Sequence, residues 1–266
     1  MPSNSSAWVA GPMVRRPARA GALIGAAVAI TLLSSGCSTP VSSAAAPEST
    51  SSASKDVDPQ KESRNPAGFL STIATARGSQ VTVRTTPGGG GRKSLANPTA
   101  IGAPLTFLVL ESRSDWLKVQ LPLRPNGSSG WVARTDVILS STPYRLVISM
   151  SKHRLDVMYQ GKRIARHDVG VGKVATPTPK GTYYLTELIQ PPDPAGAYGP
   201  YAFGLSAYSN TLKSFAGGPG QLGLHGTDAP HGLGTDISHG CIRVANTVIT
   251  QLAADLPLGT PVDIRA

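Results

Sequence analysis

Cysteine is almost absent from this chain of 266 residues, which holds two, Cys37 and Cys241. A small scaffold stapled by several disulfides is therefore excluded. Aromatic residues make up 5%, too few to build stacking platforms for single-stranded nucleic acid. Charged residues are 15%, against about 25% in typical soluble domains. Beyond the N-terminal stretch no run reaches the roughly 18 apolar residues of a membrane span, which excludes a polytopic helical membrane protein. The formal net charge is +10, yet no long basic block concentrates it, so a nucleic-acid arm is not supported. Phosphate-binding loops are missing too. The glycine clusters at 88–91 and 217–220 lack the flanking strand and helix that such a loop needs. What the chain has in quantity is Gly (29) and Pro (23), which favour strands, turns and linkers over helical bundles.

The N-terminus carries an address. Arg15, Arg16 and Arg19 precede the uncharged stretch from Ala20 to Leu33, whose length fits a signal-peptide core and falls short of a bilayer span. Leu32-Leu33-Ser34-Ser35-Gly36-Cys37 follows and resembles a bacterial lipobox, with Ser34 standing where an aliphatic residue is usual. Residues 1–36 are expected to be a lipoprotein signal peptide, with Cys37 lipidated and the protein held at the outer face of the cell membrane. The alternatives are an ordinary secretory signal beside a bystander cysteine, or an uncleaved anchor. Lipidation of Cys37 leaves Cys241 without a disulfide partner, a free thiol in an exported protein that needs a reason.

Residues 37–76 read as a Ser/Ala/Pro-rich tether with too little apolar surface to order itself. From residue 77 the pattern changes to short alternating strands. Gln80-Val81-Thr82-Val83-Arg84, Trp116-Leu117-Lys118-Val119 and Gly130-Trp131-Val132 predict a small β-barrel over 77–141. These segments resemble bacterial SH3-like domains. Residues 143–266 continue as mainly β structure. Tyr144–Ser149, Arg154–Tyr159 and Thr182–Ile189 read as strands. One helix is predicted over Thr247–Leu256, from apolar residues at a period near 3.6, with Asn246 as its cap and Pro257 and Gly259 beyond its end.

Chemistry gathers in residues 225–241, where three of the five histidines accompany Cys241 on a Gly-rich segment. A thiol attacks an acyl carbon well only as thiolate, so it needs a base or a positive charge nearby. His225 and His239 are both candidates. His239 stands two residues from Cys241, a poor geometry for relaying a proton, so His225 is the preferred base. The amides of Gly240 and Cys241 are natural donors to an oxyanion, and Arg243 can project to the same face to meet a carboxylate. Two other readings stay open here. Cys241 could be an inert buried thiol, or a zinc ion could be held by some of His225, Asp228, His231, His239 and Cys241.

His225-Gly226-Thr227, then Ser238-His239-Gly240-Cys241-Ile242-Arg243, resembles the signature of the L,D-transpeptidase (YkuD-type) catalytic domain. Pro177-Thr178-Pro179-Lys180-Gly181-Thr182-Tyr183 and Leu258-Gly259-Thr260-Pro261-Val262 match the family's other motifs. The resemblance implies a β-sandwich with one short C-terminal helix. It also implies a cysteine acyl-enzyme that builds 3→3 cross-links between peptidoglycan stem peptides, releasing D-Ala from a tetrapeptide donor. It gives catalytic roles to Cys241, His225, Gly226 (whose carbonyl orients His225) and His239. It places Ser238, Gly240, Arg243 and Tyr198 on the substrate and oxyanion side. The family needs no metal or organic cofactor, and similar enzymes are acylated by carbapenems. A monomer acting on stem peptides, with no nucleic acid, is expected. The competing expectations are an L,D-carboxypeptidase using water on the same acyl-enzyme, and a non-catalytic wall-binding lipoprotein.

Overall fold

The computed structural model describes residues 69–215 and 217–266. The expected signal peptide, most of the expected tether and Cys37 lie outside them. Two large sheets and one of two strands make up the β structure of the described chain. Gln80–Thr86, Tyr144–Ser149 and Arg154–Tyr159 bury alternate residues, as a pleat dictates, while the central Gly181–Ile189 is buried over five successive residues.

The first sheet has seven strands, β1 (Ser71–Ala76), β2 (Gln80–Thr86), β3 (Gly89–Ala96), β4 (Thr106–Ser112), β5 (Trp116–Gln120), β6 (Ser129–Ala133) and β7 (Val137–Thr142). Their order is β3-β2-β6-β5-β4-β1-β7. Val81, Val83, Phe107, Leu117, Val119 and Val132 form its core. Trp131 is buried as well, and the Arg113 guanidinium sits over its ring at 4.6 Å. Strand β1 corrects the C-terminal limit of the tether, which the sequence reading put at residue 76. Ser71-Thr72-Ile73-Ala74-Thr75-Ala76 carries one large apolar side chain, so composition alone hides it. Pairing on both edges, with β4 and with β7, orders it nonetheless.

The second sheet has eight strands. They are β8 (Tyr144–Ser149), β9 (Arg154–Tyr159), β10 (Lys162–Asp168), β12 (Gly181–Ile189), β13 (Ala202–Tyr208), β14 (Gln221–His225), β16 (Ile242–Arg243) and β17 (Pro261–Arg265). Two short strands, β11 (Val171–Gly172) and β15 (Asp236–Ser238), pair apart from it. The order is β10-β9-β8-β17-β12-β13-β14-β16. Leu146, Ile148, Leu155, Leu185, Phe203 and Leu224 pack in its core with Ile249 and Leu252 of helix α1 (Asn246–Asp255). The helix sits where the periodicity places it, one residue earlier. Asn246 does not cap it. Its side-chain oxygen accepts a hydrogen bond from the Thr227 amide at 2.8 Å, and the residue in the cap position is Ala245. The nearby Thr227 loop amide takes that oxygen instead.

The two sheets touch through a loop of the first. Arg124 donates to the carbonyls of Ser209 (2.6 Å), Leu212 (3.0 Å) and Pro219 (3.1 Å), and its guanidinium lies over the Tyr208 ring. Asn126 exchanges two hydrogen bonds with the Tyr208 backbone, and Tyr208 donates its hydroxyl to the Pro122 carbonyl. One arginine therefore ties down both ends of the 209–219 segment.

Candidate active site

Glycine clears the floor of the site. Across β12, β13 and β14, Glu187 pairs with Gly204, and Gly204 pairs with Gly223. Cys241 immediately precedes β16, whose Ile242 stands beside Leu224. The next place in the row, beside Gly223, thus falls to Cys241. The adjacent row runs Ile189, Ala202, His225 and Arg243. Residues directly across a sheet share a face, and seven of these eight line one cavity of about 290 Å³ with Tyr198 and Phe215. The alternate residues Leu224 and Ile242 point the other way into the core.

His225 is 3% exposed. Its Nδ1 lies 2.6 Å from the Gly226 carbonyl oxygen. A carbonyl can only accept, so Nδ1 carries the proton and Nε2 keeps its lone pair free. Burial pulls the imidazole pKa down to about 4. The Gly226 carbonyl opposes that shift, and the Arg243 charge adds to it. At neutral pH the ring is an uncharged base. Tyr198 packs on it with ring centres 4.8 Å apart.

The Cys241 thiol faces the backbone amide of Gly223. Burial raises its pKa above the ordinary thiol value, while the Gly223 amide and the Arg243 guanidinium pull the other way. The resting pair is therefore neutral thiol and neutral imidazole, not a preformed ion pair. Cys241 itself is partly buried and opens on the cavity.

Three expected site residues sit differently from their sequence reading. Ser238 is 1% exposed and turned inward. Its hydroxyl donates to the Cys241 carbonyl (2.5 Å) and accepts from the Gly240 amide (3.0 Å). It braces the loop that carries the thiol. The Gly240 amide is consequently occupied, which removes it as a ready oxyanion donor. A hydroxyl two residues back reaches that amide more easily than a ligand can. Among the described residues the Cys241 amide has no such partner. Gly240 itself has φ +120°, a conformation that side chains resist, and a β-carbon there would press on Leu222. His239 is exposed and stacks on Phe215, with centres 5.3 Å apart, so it belongs to the rim and not to the reacting centre. Arg243 stays close enough to act on both His225 and Cys241, and its buried Nε lacks a hydrogen-bond partner among the described residues. Asp228 and His231 are exposed, and the described residues include no cluster of three metal-binding side chains.

Several contributors escaped the sequence reading. Thr178 accepts from the Gly172 amide and donates to the Gly240 carbonyl at 2.8 Å, fastening the Thr-Pro segment to the cysteine loop. Glu187 is 8% exposed on the cavity wall. A lone acid inside the apolar strand Thr182–Ile189 was the available signal. Gly204 and Gly223, spaced singly in two strands, were another, because an isolated strand glycine marks close approach.

Comparison with known proteins bears on this geometry. Residues 143–264 match the YkuD model, the L,D-transpeptidase catalytic domain. Over these residues the chain is similar to YkuD-type L,D-transpeptidase catalytic domains. The YkuD protein of Bacillus licheniformis is 31% identical over 122 residues, covering 46% of this chain and 66% of its own. That of Bacillus subtilis is 27% identical over 151 residues, covering 54% and 84%. Among solved structures, Bd1075 of Bdellovibrio bacteriovorus is 26% identical with a TM-score of 0.37, covering 47% of this chain and 48% of that one. The chain thus spans just under two thirds of the Bacillus licheniformis protein and about half of the Bdellovibrio chain. The matched residues include both Cys241 and His225.

Proposed function

We propose that the protein is a peptidoglycan L,D-transpeptidase that forms 3→3 cross-links through a Cys241 acyl-enzyme. One observation carries this reading. Cys241 and His225 open on the same cavity of a YkuD domain, and the Gly226 carbonyl leaves His225 Nε2 as the free proton acceptor.

The steps follow from the resting charges. As Cys241 Sγ attacks the carbonyl of the third stem residue, its proton passes to His225 Nε2. The Cys241 amide donates to the developing oxyanion, and Arg243 favours the negative charge on sulfur. His225 then returns the proton to the departing nitrogen of D-Ala as the C–N bond breaks, leaving a thioester. An amine from a second stem attacks the thioester, His225 takes its proton, and the thiol is restored with an amide formed. Tyr198 holds the imidazole in place, and Ser238 and Gly240 shape the loop.

The remaining expectations belong to this proposal. They are the lipid on Cys37 at the outer face of the membrane, the SH3-like module over 77–141 as a wall-directed partner domain, and action as a monomer without cofactor. Water as acceptor on the same acyl-enzyme is the second reading. Incubation of the purified protein with disaccharide-tetrapeptide, followed by mass spectrometry, decides. Cross-linked dimer supports the transpeptidase, tripeptide alone supports the carboxypeptidase, and unchanged donor overturns both.

A further inference from the structure

The mechanism leaves one buried acid on the cavity wall without a task. Glu187 lies across the sheet over Gly204, so closely that a β-carbon on that glycine would clash with its carboxyl oxygen. Gly204 is the neighbour of Gly223, and the Gly223 amide faces the Cys241 thiol. The two glycines thus open a lane from the carboxylate to the sulfur, floored by backbone alone. Glu187 accepts from the side-chain amide of Gln221 at 2.9 Å and from the Thr186 hydroxyl, both neutral donors. Among the described residues no cation pairs with the carboxylate. The titratable groups nearest it, Tyr184 and Tyr208, donate their hydroxyls elsewhere, to the carbonyls of Gln120 and Pro122. Burial without a counter-charge is costly for a carboxylate, and its pKa is raised accordingly. Such a group is relieved by an incoming cation.

We infer that Glu187 is a specificity-determining residue that receives a primary ammonium on the side chain of the donor's third residue. This rests on the proposed acyl-enzyme at Cys241. In the row Glu187, Gly204, Gly223, Cys241 the carboxylate lies over Gly204, two strand widths from Cys241. At about 4.8 Å per strand that is roughly 10 Å, the reach of a four-carbon amine plus one hydrogen bond. An uncharged side chain of equal length would fill the lane and leave the carboxylate without a counter-charge. A carboxylate there would be repelled.

The test compares donors on the full chain. Tetrapeptides carry at position three lysine, its Nε-acetylated form or norleucine, and acyl-enzyme formation is followed by intact mass. The wild type is expected to prefer the free amine by about tenfold or more in kcat/KM. In Glu187→Gln, which keeps an acceptor for Gln221, that ratio should fall toward one. Wild-type protein that acylates equally with free and capped amines overturns the inference, as does a Glu187→Gln variant that keeps the full preference. The underlying reading fails separately, and takes this inference with it, if neither any donor nor a carbapenem acylates Cys241.

Discussion

Gly199 and Gly226 meet backbone against backbone. A β-carbon on Gly199 would stand 2.7 Å from the Gly226 α-carbon, and Gly199 has φ +64°. This contact fixes their neighbours in turn: Tyr198 is pressed on the imidazole of His225, and the Gly226 carbonyl is aimed at Nδ1. Replacing Gly226 with alanine drives a methyl group to 2.3 Å from Asn246 Oδ1. We expect a loss of about 1–3 kcal/mol in stability, seen as a drop in Tm of about 2–4 °C per kcal/mol. The acylation rate should fall by more than the folded fraction does, because a displaced base of about 1 Å can cost roughly 100-fold.

His225 sets a pH window. Its imidazole must be neutral to accept a proton, so the acylation rate should rise with pH through about 4 and then level. Stability moves the same way. An unfolded histidine titrates near 6.5, and the native one near 4. As pH falls between these values the unfolded chain binds a proton that native His225 does not, so stability declines, in full by on the order of 3 kcal/mol. Urea midpoints measured from pH 8 to pH 4 check this, and His225→Gln should flatten that part of the curve.

Arg124 is the handle by which the first sheet holds the cavity wall. It binds three carbonyls of the segment that carries Phe215 and Pro219. Arg124→Ala should loosen that wall and raise KM for the donor several-fold with a smaller change in kcat. Arg124→Lys should restore little of this, since one ammonium cannot reproduce a planar fork. Steady-state kinetics on both variants measure the split.

Much of this architecture was open to a reading of the sequence. Alternation exposed strands such as Gln80–Thr86 and Trp116–Gln120. The one helix showed itself by its period, and the chemistry by the crowding of His225, His239 and Cys241 among glycines. Other features depend on register between strands far apart in sequence, which no local pattern encodes. The row from Glu187 to Cys241 is one such feature. The diversion of Asn246 from its helix to the Thr227 amide is another. The hydroxyl of Ser238, which takes the Gly240 amide, required knowing how tightly its loop turns. Strand β1 had too few large apolar residues to stand out from the tether.

The central claim is that one sulfur, Cys241 Sγ, carries the acyl group. Intact-protein mass spectrometry after exposure to a carbapenem, followed by peptide mapping, tests it most directly. A single adduct of the drug's mass on Cys241, lost in Cys241→Ala and formed far more slowly in His225→Gln, is the predicted result. Unmodified protein, or an adduct at any other residue, would contradict the account.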